Sequence, residues 1–378
     1  MPDLNETVSK ASQEFLLNFM QHGDIGAALS VWMGATEICS KEGGFIDEER
    51  AGHWKKNTMV TVNSAINGPV AATVLTALYN AGLSPDTLIG DIWPELGNGK
   101  LAQFPLRILL SHQAGLPFIE NFQGSGHDDA VAALNQQSPV WEPGTAHGYH
   151  VGTFSIIADE IVRRLELVPL PDFWRSQIAD ILGLNIWIGE TRPAKGSVAN
   201  ALHVHGPIDP GSFAALESFE RKDSLTYRAY QFSNCGISES APRPEFPLPR
   251  VSGIASAASL ARFYSLMASG GDRAGFQVFP HAVCDWAGEL VVEGFDQVLK
   301  TTTAFSVGFM KDPVDYHSGK IHLFSSSPGA FGYPGEGGSF AFGDPGTQLG
   351  FAYVANEMDR SLLPSEKALR LSRPFYEF

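Results

Sequence analysis

Residues 58–72, TMVTVNSAINGPVAA, decide how this chain is to be read. The run Thr58–Val62 is apolar and rich in β-branched residues, which favours a short extended strand. From Ala65 onward the composition is that of a helix. Ser64 stands at the junction, where free backbone N–H groups and the positive end of the helix dipole favour a developing negative charge. That setting suits a nucleophile. It is also where an ordinary capping serine sits, which is the commoner use of the residue. One helical turn later comes Asn67, whose amide donates and accepts hydrogen bonds but cannot act as a base.

Around this junction the whole composition is that of a large folded unit. The 378 residues are 44% apolar, enough for one large core or two closely packed ones. The formal net charge of −15 lacks the basic footprint that nucleic acid or an anionic membrane would require, so neither is expected as a partner. Cys39, Cys235 and Cys284 are scattered without metal or disulfide spacing, and buried or idle thiols in a reducing compartment are expected. His203 and His205 have a chelating spacing but no accompanying acidic or cysteine pattern, so no metal and no cofactor are expected. The first residues lack a basic segment followed by an apolar run, and no stretch is long enough to span a bilayer. A cytoplasmic protein acting on a small molecule is expected, and a homodimer is compatible with it.

Before the Ser64 junction, residues 6–21 have the apolar spacing of an amphipathic helix, and 25–33 and 35–38 read as neighbouring antiparallel strands. After it, helices are expected over 71–80, 107–112, 153–165, 173–182 and 256–269. Residues 200–249 are irregular. From 305 the pattern turns β again, with a hairpin at Asp344-Pro345-Gly346, and the chain ends in a helix from near Pro364. The fold expected is α+β: an antiparallel sheet formed from both termini with flanking helices and an inserted, mostly helical region. Within a single unit of 1–378, the sheet subdomain would take 22–60 and 300–378, and the helical one 61–299.

Several segments together resemble one family. NTMVTVNSAING is similar to the nucleophile segment of serine β-lactamase-like proteins, and LLSHQAGLP to the stretch that follows it in class C β-lactamases and related esterases. PGTAHGYHVGTF resembles their tyrosine motif. VSGIASAASLARF resembles their Ser/Thr-rich turn and helix, and FGYPGEGGSFAFGDP their third motif, written H-x-G or K-T-G. The GYH and GEGGS forms point toward family VIII carboxylesterases. The resemblance implies a penicillin-binding-protein-like fold and an acyl-enzyme mechanism. It places the nucleophile on Ser64, the motif tyrosine on Tyr149, the S-x-x-K lysine on Asn67, the third-motif His or Lys on Tyr333, and the oxyanion strand near Gly338–Phe340. Counted back from Gly82, the same spacing gives Ala65 and Gly68 instead of Ser64 and Asn67. Neither register supplies a lysine.

The expected catalytic residues are therefore Ser64 and Tyr149, with Asn67, Tyr333, Glu336, Gly338 and Ser339 binding or lining the pocket. A phenol has an ordinary pKa of about 10 and needs a cation nearby to ionise at neutral pH. Without the lysine, Tyr149 is expected to stay neutral, to donate a proton or hydrogen bond, and to matter more than Ser64. Its ordinary alternative is a packed loop tyrosine, and that of Glu336 is a solvated loop acid. His112 is expected to be a structural hydrogen-bonding residue, and His150 to point away from the site. The leading functional expectation is an esterase- or transesterase-like acyl-transfer enzyme acting on a small metabolite with altered proton management. A pocket repurposed for a proton-transfer, cyclisation or rearrangement step in secondary metabolism comes next, and a non-catalytic binding or scaffold protein last. β-Lactamase activity is expected to be negligible.

Overall fold

The two ends of the chain meet in one antiparallel sheet. The structure, a computed structural model, describes residues 3–189, 198–202, 213–219, 221–233, 253–273, 276–315, 319–320 and 323–376. The sheet strands are β1 (Gly26–Met33), β2 (Thr36–Gly44), β3 (Val292–Phe295), β4 (Thr302–Phe305), β5 (Met310–Lys311), β6 (Phe331–Pro334), β7 (Phe340–Asp344) and β8 (Leu349–Ala355). Their order is β2-β1-β8-β7-β6-β5-β4-β3, with every neighbouring pair antiparallel. The central strand β8 is buried along its full length, and its sequence LGFAYVA is correspondingly apolar on both faces. The hairpin between β7 and β8 turns where the sequence places it. Asp344 accepts from Gly346 N at 2.8 Å, closing the turn with its own side chain.

Strand alternation gives the sheet two different faces. Tyr333 pairs with Ala341, and Ala341 with Ala352, so these three share a face. Tyr353 pairs with Phe340 and Leu29 and points to the other face. Helices α1 (Leu4–Gln21) and α5 (Glu366–Ser372) pack together on the Tyr353 side. The Tyr333 side carries α4 (Ala257–Ala268), and beyond it lie α2 (Asn67–Asn80) and α3 (Thr153–Glu166). Helix α4 lies close on the strands because Gly350 has no side chain. A Cβ there would stand 2.0 Å from the Ala261 carbonyl oxygen.

Helix α2 is buried from Asn67 to Leu78. A helix enclosed on all sides needs small and apolar residues all round, and NGPVAATVLTAL supplies them. A separate three-stranded sheet of Val60–Thr61, Gly253–Ala255 and Ile186–Ile188 leads into the start of α2. Several sequence expectations differ in detail: the helix read over 71–80 begins at Asn67, and that read over 107–112 ends at Leu110. The second strand continues to Gly44, because β1 offers it a paired edge well past Ile38. The helix read over 173–182 begins at Leu170 and contains a wide π turn at Arg175–Ala179. The sheet also takes in β3, which lies N-terminal to residue 300. His203, His205 and Cys235 lie outside the described residues.

Candidate active site

Ser64 is held by a backbone turn of unusual shape. Residues Asn63–Ile66 form one 3₁₀ turn between the Val60–Thr61 strand and α2, and Asn63 has φ of 45°. Asparagine tolerates this left-handed conformation better than most residues, so the sequence matches the turn. The Asn63 side chain then donates from Nδ2 to the Glu336 carbonyl at 2.6 Å. The serine turn and the turn after β6 are thereby joined.

Together with Tyr149, Tyr333 and Glu336, Ser64 lines a small pocket. Val151, Tyr230, Leu299, Met310, Pro334 and Leu362 complete the lining. Its free space is on the order of one water molecule. No lysine, arginine or histidine is among these lining residues.

Asn67 stands behind the lining, buried, and donates from Nδ2 to the Tyr149 hydroxyl at 2.7 Å. Ala65, the serine position in the other register, has its side chain in the core. Gly68, the other candidate for the lysine position, leaves no room for a side chain, since a Cβ there would lie 2.1 Å from the Tyr264 hydroxyl. Gly338 and Ser339, expected to line the pocket, are not among its lining residues. The Gly338 N–H donates to the Gly335 carbonyl at 3.0 Å, and β7 begins directly after Ser339.

The backbone of Tyr149 is fixed by a buried carboxylate. Asp296 accepts from Tyr149 N through both oxygens at 3.1 Å, and from Val298 N and Leu299 N at 2.8 Å. Thr303 Oγ1 donates to it at 3.1 Å and lies 2.8 Å from His147 Nε2. Burial pushes the Asp296 carboxyl up from the usual range, while His147 and the backbone donors oppose that shift.

Tyr333 is partnered by His112, whose Nε2 lies 3.2 Å from the tyrosine hydroxyl. His112 Nδ1 accepts from His150 N at 3.3 Å. His150 in turn has Nδ1 2.7 Å from the Gly148 carbonyl and accepts from Leu116 N at its Nε2, 3.1 Å away. Burial holds His112 well below the ordinary imidazole value, with His150 and His147 adding to the effect. Burial brings His150 down to about 4. Both rings are therefore neutral near pH 7. Burial likewise raises the Tyr333 phenol well above its ordinary value, with Tyr149 and Tyr264 acting in the same direction. The lining residues thus bring four hydroxyl groups, on Ser64, Tyr149, Tyr230 and Tyr333, and the carboxyl group of Glu336.

Sequence reasoning brings Ser64, Asn67, Tyr149, Tyr333 and Glu336 to this region, and the structure places all five there. It also shows three participants that the sequence did not single out for the site: His112 as a partner of Tyr333, and Asp296 with His147 beneath Tyr149. His112 and His147 lie within the quoted LLSHQAGLP and PGTAHGYHVGTF segments. Asp296 lies in none of them. Among the described residues no cluster of three metal-ligating side chains occurs, and no helix is long and apolar enough to cross a membrane.

The chain's similarity to known proteins spans nearly its full length. The Beta-lactamase family model matches residues 7–372. The esterase/β-lactamase LipL of Mycobacterium tuberculosis is 24% identical over 358 residues, covering 91% of this chain and 80% of LipL. A family VIII carboxylesterase structure superimposes with a TM-score of 0.83 at 26% identity, covering 97% of this chain and 96% of that one. A penicillin-binding protein homologue from Caulobacter crescentus gives 0.80 at 26%, covering 98% and 97%.

Proposed function

The chain belongs to the β-lactamase family, and from that premise we propose that it is an esterase-like acyl-transfer enzyme acting on a small, uncharged substrate. Ser64 is the nucleophile and Tyr149 the proton carrier. The observation that supports this reading is the Asn67–Tyr149 hydrogen bond beside Ser64. An amide at that position orients the phenol without ionising it. Ser64 Oγ attacks the ester carbonyl carbon, and the C–O bond to the leaving alcohol breaks. Tyr149 takes the serine proton while giving its own to the departing alkoxide, so it remains neutral throughout. Water or a second alcohol then attacks the acyl carbon, and its proton returns to Ser64 by the same relay.

The experiment is exposure of the protein to a fluorophosphonate, read by intact mass. One adduct is expected, located on Ser64 and lost in Ser64→Ala. A second reading is favoured by the absence of any basic side chain from the described lining. In it, Tyr149 and Tyr333 promote a proton-transfer or rearrangement step and Ser64 only binds. An unmodified protein whose native turnover is abolished by Tyr149→Phe but not by Ser64→Ala would establish that second reading. Brisk opening of a chromogenic cephalosporin would contradict the expectation that β-lactamase activity is negligible.

A further inference from the structure

We propose that His112 is a positioning residue, which makes the Tyr333 hydroxyl a hydrogen-bond donor to an acceptor oxygen bound in the Ser64 pocket. The argument follows the direction of each hydrogen bond. A backbone N–H can only donate. Leu116 N–H enters His150 Nε2, so the His150 proton is on Nδ1 and is given to the Gly148 carbonyl. His150 N–H enters His112 Nδ1, so the His112 proton is on Nε2 and is given to Tyr333. The Tyr333 oxygen is thus already an acceptor, and its own proton is left for whatever occupies the pocket that it lines.

Two further observations suit this role. His112 has φ of 62°, a conformation that a non-glycine residue adopts only where its surroundings hold it. Its carbonyl also accepts from Gly148 N at 3.1 Å, so the ring is anchored by its backbone on the Tyr149 loop. The ligand class follows from the donor. An uncharged carbonyl or ether oxygen, as in an ester, lactone or amide, satisfies the phenol, whereas an ammonium does not. The assignment of that oxygen to an acyl substrate rests on the acyl-transfer reading; the direction of the hydrogen bonds does not.

The test has two arms, both on the full chain. In the first, ¹⁵N-histidine-labelled protein is examined by long-range ¹⁵N–¹H correlation near neutral pH. His112 should be protonated at Nε2 and His150 at Nδ1, and Tyr333→Phe should shift the His112 Nε2 resonance. A His112 proton on Nδ1 overturns the proposal. The second arm is kinetic, with p-nitrophenyl butyrate as the probe and folded content matched by circular dichroism. Tyr333→Phe and His112→Asn should each lower kcat/KM by about tenfold. Asparagine suits the left-handed backbone and can replace Nδ1, but it does not reach Tyr333. The double variant should lose no more than either single one, and His112→Gln, whose amide nitrogen reaches the Nε2 position, should recover most of the loss. Losses that multiply in the double variant, or wild-type kinetics in His112→Asn, overturn it. If the wild type neither turns over the ester nor is acylated at Ser64, the acyl-transfer reading fails by itself and the imidazole spectra alone decide the role of His112.

Discussion

Tyr333 and Tyr353 lie on opposite faces of the same sheet, and both are buried, at 1% and 0% exposure. Tyr353 donates to Asp24 Oδ2 and lies 3.4 Å from the Asn18 amide, while Lys367 donates to the other Asp24 oxygen at 2.8 Å. That cluster is charged and closed on itself, and it fastens α1, α5 and β8 to one another. Tyr333 has an uncharged partner, His112, and faces a pocket. The two clusters differ in kind. Buried charge is tolerated where every group has a counterpart. On the proposed reading, the Tyr333 hydroxyl keeps a donor that a bound oxygen would complete.

The largest expected effect separates the two faces by kind. Tyr149→Phe removes one hydroxyl from the pocket face and should lower ester turnover by ~10²–10⁴-fold, the usual scale for losing a positioned proton carrier. Melting temperature should fall only modestly, because the buried Asn67 amide loses its acceptor, at a cost of about 1–3 kcal/mol. A variant that melts early but turns over normally would make Tyr149 a packing residue and erase the contrast.

On the other face the effect should fall on stability. Lys367→Met leaves Asp24 buried and unpaired, which costs about 3–5 kcal/mol. Burial works against the charge of Lys367, yet Asp24 and the neighbouring carboxylates hold its pKa above the ordinary value. Urea unfolding should show the loss, whereas fluorophosphonate labelling of the protein that remains folded should be unchanged. Asp24→Asn combined with Lys367→Met should restore much of the stability.

Acid sharpens the comparison from the neutral side. His150 is unprotonated in the fold down to about pH 4, while the unfolded chain takes up a proton near 6.5. Between those values the unfolded state binds more protons, so stability is complete above about pH 6.5 and falls as the pH drops toward 4. One such group accounts for about 3 kcal/mol. His150→Asn should flatten this part of a urea-midpoint profile against pH; an unchanged slope would show that His150 is not the group responsible.

The smallest effect concerns a third buried tyrosine. The Tyr264 hydroxyl has no hydrogen-bond partner among the described residues. Tyr264→Phe should therefore be neutral or stabilising, by up to about 1 kcal/mol in thermal unfolding. A marked destabilisation would mean that this hydroxyl has an acceptor after all.

The sequence made much of this visible, for identifiable reasons. Ser64 was legible because a strand-to-helix change surrounds it. Tyr149 and Tyr333 were legible through the resemblance of their segments to the family's motifs, and the turn at Asp344 through its Asp-Pro-Gly sequence. The 3.6-residue spacing of 153–165 announced α3, and the helix expected over 256–269 is α4, with Ser256 as its N-cap accepting from Ser259 N. What could not be read were contacts closed by tertiary folding. His112 meets Tyr333 across 221 residues, and Asp296 meets Tyr149 across 147. No local pattern encodes such a pairing. The C-terminal half of β2 was missed for a related reason. SKEGG is polar and has little strand propensity, and it is extended because β1 lies alongside.

The hydrogen bond from Asn63 to Glu336 joins positions 273 residues apart, and the rest of the pocket is drawn from equally scattered places. Such a pocket exists only while the whole molecule is assembled, so an occupant is a ligand of the native state alone. By mass action, a compound at a hundred times its dissociation constant would raise unfolding free energy by about 2.7 kcal/mol. The substrate could then be sought without assuming any reaction, by screening esters, lactones and amides for those that make the protein melt later.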